Sequence, residues 1–393
     1  MKAFSTLLSF VCLAAATPLA ILSDAGQLPL AGDGLHYPGF DLDLNALRLV
    51  QLEGQAPQWM TELEKIEAKA RGIKFFDITD HQDLGSSTSL RVADKVSFPS
   101  PSAEKQVRSV IKTLSSDGPR ENLEKFSSFR TRYYRSDTGK QSQQWLLSKI
   151  SEITSEYAPK ALQKLISVNE FSHSWGQNSI IVKINGSSTT DDSVVIIAAH
   201  QDSTNMWPFL PAPGADDDGS GTVTILEAYR GLIASNFQPV RNIEFHWYSA
   251  EEGGLLGSQA VARDYESRNV NVIAMSQFDM TAWVKRGTRE EVGIITDFVD
   301  DGLTEFNKKL VDTYLDIPYV STKCGYACSD HASWGKAGYA SSFTIESTFE
   351  NSNKNIHSTN DRIDVSDEFS FEHMLEFSKL AVAFAIELGG WKE

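Results

Sequence analysis

The chain has 393 residues, enough for two or three domains of ordinary size or for one large α/β unit. Apolar residues at 41% and charged residues at 22% exclude wholesale disorder. The 52 acidic against 36 basic residues give a formal charge of −16, which argues against a nucleic-acid partner and suits a site that binds cations.

Lys2, an apolar run from Leu7 to Ala16 and small residues up to Ala20 read as a secretory signal peptide over 1–20, cleaved after Ala16 or Ala20. No later stretch approaches the ~20 apolar residues of a membrane span. A secreted, extracellular chain with no membrane partner is therefore expected. Cys12 leaves with the signal. The remaining pair, Cys324 and Cys328, is an even count in an oxidising compartment and predicts one disulfide that shapes a short loop. Asn185-Gly-Ser187 is the one acceptable sequon, so glycosylation is expected at Asn185.

Residues 21–88 differ from the rest of the chain. Residues 28–41 are rich in Gly, Pro and Asp, 45–71 have helical spacing, and 85–89 form a polar linker with little reason to pack. This region reads as a pro-segment, with the catalytic domain over 89–393. From Pro99 onward the pattern alternates. Ser102 is expected to cap a helix reaching about 115, and a second amphipathic helix spans 142–157. Strands at 179–184, 194–199, 242–249, 272–280 and 340–345 interleave with helices at 220–233, 257–266 and 303–314. A long closing helix is expected behind Ser366, with Phe371, Met374, Leu375, Val382 and Ala385 on its apolar stripe. The fold class is α/β: a mixed, mostly parallel central sheet flanked by helices.

In open α/β sheets, sites lie beyond the carboxyl ends of the strands. Those ends carry His200-Gln-Asp202, Ala250-Glu251-Glu252-Gly-Gly254 and Asp279-Met280. The triplet Asp216-Asp217-Asp218 opens a helix between the first two, and Asn355-Ile-His357 comes after the last strand. One or two imidazoles among several carboxylates suit a zinc-type cation with a position left open for water. Two metals need a bridging carboxylate. His200 and His357 can each serve one metal, one of the three aspartates can bridge, and Glu252 and Asp279 can complete the sets. Of the adjacent pair Glu251-Glu252, one can bind metal while the other acts as general base on a metal-bound water. Asp202 can orient the His200 ring.

These motifs, taken in order with Cys324-Gly-Tyr-Ala-Cys-Ser-Asp-His331, resemble the secreted zinc aminopeptidases of peptidase family M28, which include the fungal leucine aminopeptidases and the Vibrio aminopeptidase. The resemblance runs from about Pro99 to the C-terminus. The phrase Asp77-Ile-Thr-Asp-His-Gln-Asp83 also resembles the fungal members. The resemblance implies two Zn2+ ions per chain, with His200, Glu252, Asp279 and His357 as terminal ligands and Asp217 as the bridge. It further implies Glu251 as general base, Asp202 as the partner of His200, and Tyr326 as a hydrogen-bond donor to the developing oxyanion. The implied activity is removal of leucine or other apolar residues from peptide and protein N-termini, by a monomer.

The rival readings are a single-zinc glutaminyl cyclase, a metallocarboxypeptidase, and a non-catalytic binding module, the last disfavoured because every ligand position is filled. His246 and His331 are read as structural, and Trp283 and Trp334 as packing. Met206, Trp207 and Phe209 sit in a loop of variable shape that can form a pocket rim.

Overall fold

A computed structural model describes residues 37–88 and 97–392. The expected signal peptide, the first part of the expected pro-segment and the boundary at 88/89 lie outside the described residues.

The N-terminal part forms a small sheet of β1 (Leu47–Leu52), β2 (Gln58–Thr61) and β3 (Phe75–Asp77), in the order β2-β1-β3, all antiparallel. Helix α1 (Glu62–Ala70) lies between β2 and β3, and Thr61 and Glu64 close a capping box at its start. The helical spacing expected over 45–71 is thus corrected: a hairpin precedes a shorter helix. On one face of β1 Leu47 is exposed and Leu49 packs beside Phe76 and Leu255, whereas the inner face carries Arg48 with Val50 and Leu52. Arg48 is buried because its Nε reaches Asp77 Oδ2 at 2.8 Å, and this charged residue on the inner face hides the strand's alternation.

The main domain keeps the expected alternation. Its strands are β4 (Ile166–Phe171), β5 (Ser179–Ile184), β6 (Val194–His200), β7 (Asn242–Tyr248), β8 (Val272–Phe278), β9 (Val292–Ile295), β10 (Tyr319–Thr322) and β11 (Ser341–Ile345). They form one sheet in the order β10-β9-β11-β8-β6-β7-β5-β4. The centre, β11-β8-β6-β7, is parallel. Antiparallel pairing appears where β5 meets β7 and β4, and where β9 meets β11. The strands β4, β9 and β10 lie towards the sheet's edges and were not expected: β9 and β10 have four residues each, too few to show a period, and β4 mixes Ser, Asn and Glu into its six.

The helices are α2 (Glu104–Ile111), α3 (Asp117–Phe126), α4 (Asp137–Tyr157), α5 (Gly219–Ala234), α6 (Leu256–Ser267), α7 (Asp301–Tyr314), α8 (His331–Lys336) and α9 (Phe371–Gly389). Every residue of β6 is buried, and its side chains alternate between two cores. Val195 and Ile197 pack with Tyr229 and Leu232 of α5 and Phe377 of α9. Ile196 and Ala198 pack with Val261 of α6 and Trp334 of α8. Each such fully buried aliphatic side chain contributes roughly 1.5–3 kcal/mol relative to exposure. His246 is structural, as expected: its ring nitrogens lie 2.9 Å from Tyr248 Oη and 3.0 Å from Glu244 Oε2, so the buried polar group is satisfied.

Three helix starts differ from expectation. Ser102 does not cap α2, which starts behind Ala103 with no side-chain cap, and the Glu387 carboxylate of α9 accepts the Ser102 and Ala103 N–H groups just before it. The closing helix is capped by Ser370, and Ser366 accepts the Glu368 N–H in the preceding turn. Helix α4 starts at Asp137 behind Ser136, so Ser142 lies inside it. The linker at 85–88 is also packed. The Glu266 carboxylate accepts the N–H groups of Gly85 (3.0 Å) and Ser87 (2.8 Å), and Thr88 Oγ1 donates to the Lys336 carbonyl. Among the described residues no helix is long and apolar enough to cross a membrane.

Candidate metal centre

Because β6, β7, β8 and β11 run parallel, their carboxyl ends lie along one edge of the sheet. His200 is the last residue of β6, Asp279 comes directly after β8, and Glu251-Glu252 lie just past β7. Asp217 precedes α5, and His357 sits in the loop between β11 and α9. Ala250 (φ 59°), Met280 (φ 59°) and His357 (φ 55°) adopt the left-handed conformation at or beside these residues. Such backbone costs of order 1–3 kcal/mol per residue and persists only where surrounding contacts enforce it.

Five of the residues named from sequence meet in two groups that share Asp217: His200 with Asp217 and Asp279, and Asp217 with Glu252 and His357. Asp217 Oδ1 lies 3.2 Å from His200 Nε2, and its Oδ2 lies 3.0 Å from His357 Nε2. Asp279 Oδ1 is 3.6 Å from His200 Nε2, and Glu252 Oε2 is 3.1 Å from His357 Nε2. Glu251 Oε2 stands just outside the first group, 4.0 Å from His200 Nε2.

The charges in the site are lopsided. Burial opposes protonation of His200, but Asp279 and Glu251 outweigh it and hold the imidazole well above its usual range. Burial likewise opposes the charge on His357, yet Glu252 and Asp217 raise that ring to about 9. Asp217 is pushed up by burial and pulled down further by its two histidines. Burial drives Glu251 well above the ordinary carboxylate range. Both His200 ring nitrogens, Glu252 Oε1 and Asp279 Oδ1 are buried without a hydrogen-bond partner among the described residues. Buried carboxylates around partnerless imidazole nitrogens form a donor set suited to divalent cations.

Asp202, expected to orient His200, makes its hydrogen bonds to the main chain of the Glu251-Glu252 turn. Its Oδ1 lies 3.5 Å from His200 Nδ1, and its two oxygens accept the N–H groups of Glu251 (3.1 Å) and Glu252 (3.2 Å). Asp218 caps α5 through the Gly221 N–H and also accepts the N–H groups of His200 (3.1 Å) and Met280 (3.1 Å), tying together the ends of β6 and β8. Ser329, which the sequence pattern did not single out, donates to Asp279 Oδ2 at 2.6 Å.

A cavity of about 350 Å³ opens onto Asp217, Glu251, Glu252, Asp279 and His357. Its apolar wall includes Met280, Phe343, Ile345, Phe349 and Ile356. The disulfide joins Cys324 and Cys328, and Tyr326 of that loop also lines the cavity. Burial, and after it Glu251, raises the Tyr326 phenol well above its usual range, so it stays protonated and can donate. Of the rim residues, Met206 reaches the cavity, whereas Phe209 stacks on Tyr37 with ring centroids 3.6 Å apart. Trp283 and Trp334 are buried away from the cavity, as expected for packing residues. His331 lies outside the ligand groups, and burial lowers its ring to about 3. Asn185 is exposed and donates Nδ2–H to the Leu165 carbonyl.

The N-terminal part covers this cavity. Lys69, in the last turn of α1, donates to the Glu252 carbonyl (3.0 Å) and to Glu252 Oε2 (2.5 Å). Lys74 stands with its Nζ 4.9 Å from the Tyr326 ring centroid, and Phe75 also lines the cavity. Gly254 (φ +103°) allows this approach, since a Cβ there would lie 2.8 Å from both Asp77 N and Asp77 Cβ. Lys69 could not be found from the sequence, because nothing in its local pattern points to a partner so far along the chain.

The model of "Peptidase family M28" matches residues 179–382. The chain belongs to peptidase family M28. By family it is a peptidase, a metallo-exopeptidase. Among its relatives, leucine aminopeptidase 1 of Colletotrichum graminicola is 51% identical over 352 residues, 87% of this chain and 85% of that protein. Leucine aminopeptidase 1 of Trichoderma harzianum is 46% identical over 388 residues, 96% of this chain and 94% of that protein. The crystal structure of the Legionella pneumophila LapA aminopeptidase is 33% identical, with a TM-score of 0.71, covering 81% of this chain and 86% of that one.

Proposed function

We propose that the chain is a secreted leucine aminopeptidase, made as a latent precursor, whose site holds two zinc ions bridged by Asp217. The observation that carries this reading is the placement of Asp217, whose two oxygens face different histidines, each backed by its own further carboxylate. His200 and Asp279 would hold one zinc, and Glu252 and His357 the other. When bound, zinc supplies a Lewis acid for the scissile carbonyl and acidifies a water. Glu251, adjacent to both ligand groups but a member of neither, takes the proton from the attacking water and delivers it to the leaving amine. Tyr326 donates a hydrogen bond to the oxygen on which charge develops.

Chain-end selectivity comes from the carboxylates. A free α-ammonium is accommodated beside Glu252, where the Lys69 ammonium already sits, and the apolar wall suits a leucine-like side chain. The relatives named leucine aminopeptidase support the same substrate class. Among the described residues no arginine lines the cavity, and of its three lysines Lys69 and Lys74 belong to the segment proposed to be removed, which leaves Lys354 alone and disfavours the carboxypeptidase reading.

Residues 37–88 are the described part of the proposed pro-segment, which blocks the cavity until it is removed after secretion. Its contacts with the main domain are mixed: Lys65, Lys69, Asp77 and Asp83 make polar ones, while Tyr37 and Phe40 pack on Phe209, Leu84 joins the core beside Trp334, and Phe76 meets Leu255. Zinc analysis of the processed chain tests the site. Two zinc ions per chain are expected, and one would favour the cyclase reading. Activity before and after proteolytic removal of the segment tests latency, and equal rates would contradict it.

A further inference from the structure

We propose that Asp361 is a positioning residue for the metal bridge: it fixes the backbone that carries Asp217 and couples it to the loop that carries His357. Asp361 is 1% exposed. Its Oδ1 accepts the Asp216 N–H at 2.9 Å, and its Oδ2 accepts the Asp217 N–H at 3.0 Å. Its carbonyl accepts the Ala215 N–H at 3.0 Å. Three consecutive amide groups leading into the bridging residue therefore end on one aspartate.

Asp217 needs such a clamp because it lies in a loop, outside any helix or strand ladder that would otherwise fix its amide. A carboxylate shared by two cations must be held to within about 0.5 Å for both sets of ligands to close. Asp361 lies four residues past His357, in the same irregular stretch. His357 itself has φ 55°, a conformation held partly by the Met206 N–H on its carbonyl at 3.0 Å. One buried acid thus sets the spacing between the bridge and a terminal ligand. The same device recurs at the other ligand-bearing turns: Asp202 holds Glu251 and Glu252, and Asp218 holds His200 and Met280. In each case a carboxylate outside the ligand set accepts main-chain N–H groups from the segments that carry ligands.

This inference rests on the two-zinc reading of the site, and the experiment separates the two. Zinc stoichiometry and affinity are measured on the full chain by competition with a chromophoric chelator, alongside the melting temperature of the metal-free chain. A wild-type chain that binds fewer than two zinc ions overturns both readings. If the wild type binds two, Asp361→Asn decides the role of Asp361. Asn keeps the size but turns one acceptor into an NH2 that faces an N–H. Its zinc affinity is expected to fall about 10–100-fold, with metal-free melting little changed. Asp361→Glu keeps both acceptor oxygens and is expected to recover part of the loss. Wild-type zinc affinity in Asp361→Asn overturns the proposal. So does an equal loss in both variants accompanied by a collapse of metal-free melting, which would make the role merely structural. If Asp361→Asn does not fold, Asp361→Glu decides: weakened zinc binding with wild-type melting supports the proposal, and unchanged binding overturns it.

Discussion

The ligand cradle and the segment that covers it are held in different ways. In the cradle, buried carboxylates accept main-chain N–H groups, as Asp202 does for Glu251 and Glu252. Those bonds fix backbone positions within one domain. The cover meets the main domain through the ion pairs Lys69–Glu252 and Arg263–Asp83 and through apolar contacts of Phe40, Phe76 and Leu84, while Lys65 and Arg48 pair with Asp77 inside the cover itself. Of the two that cross, Arg263–Asp83 is partly exposed and screened by salt, whereas Lys69–Glu252 is largely buried. On the proposed latency, removing the cover breaks side-chain contacts of this kind and leaves the main-chain bonds of the cradle in place.

The largest expected effect lies in the cradle. Glu251→Gln should keep both metals and lose turnover by about 10²–10⁴-fold, read from kcat with metal analysis of the same sample. Near-wild-type kcat would remove Glu251 from the role of base. In the cover, Lys69→Ala should raise the activity of the unprocessed chain by about 30-fold, the smaller end of what losing one buried partner of a charge pair costs. Unchanged latency would mean that Lys69 fills space without binding. Acid should loosen the cover's own fold through Asp77, whose partners Lys65 and Arg48 lie in the same segment. Burial pushes the Asp77 carboxyl up, but Lys65 and Arg48 bring it below its ordinary value. A depressed folded value means that its stabilisation is complete above the unfolded value of about 3.9 and is lost as pH falls below it. Protease susceptibility of residues 37–88 should therefore rise below about pH 4, and less so in Asp77→Asn, which has already lost the charge. Gly254→Ala should act more weakly, by straining the φ +103° turn against Asp77 and lowering the melting temperature of the unprocessed chain by a few degrees.

The sequence displayed the cradle's side chains and hid what supports them. His200, Asp279 and Glu251-Glu252 could be read because each closes an apolar strand, where α/β sheets place their sites. Which aspartate of 216–218 bridges could not be read from the residues alone, since all three are buried and only their orientation separates them. Asp361 and Asp218 act on main-chain N–H groups, which every residue carries, so their partners leave no mark in the sequence. The cover was harder still. Leucines on both faces of β1, Leu47 and Leu49 on one and Leu52 on the other, gave it a false helical pattern, and the polar stretch at 85–88 read as a free linker because its partner, Glu266, lies on α6.

The central claim is that the cradle acts on a free N-terminal amine through a zinc pair. The most direct measurement assays the purified, processed chain on leucine-p-nitroanilide and on its N-acetylated form, with bound zinc determined in the same sample. Cleavage of the free amine alone, with about two zinc ions per chain, is the expected result. Cleavage of neither compound, or of both equally, would contradict it.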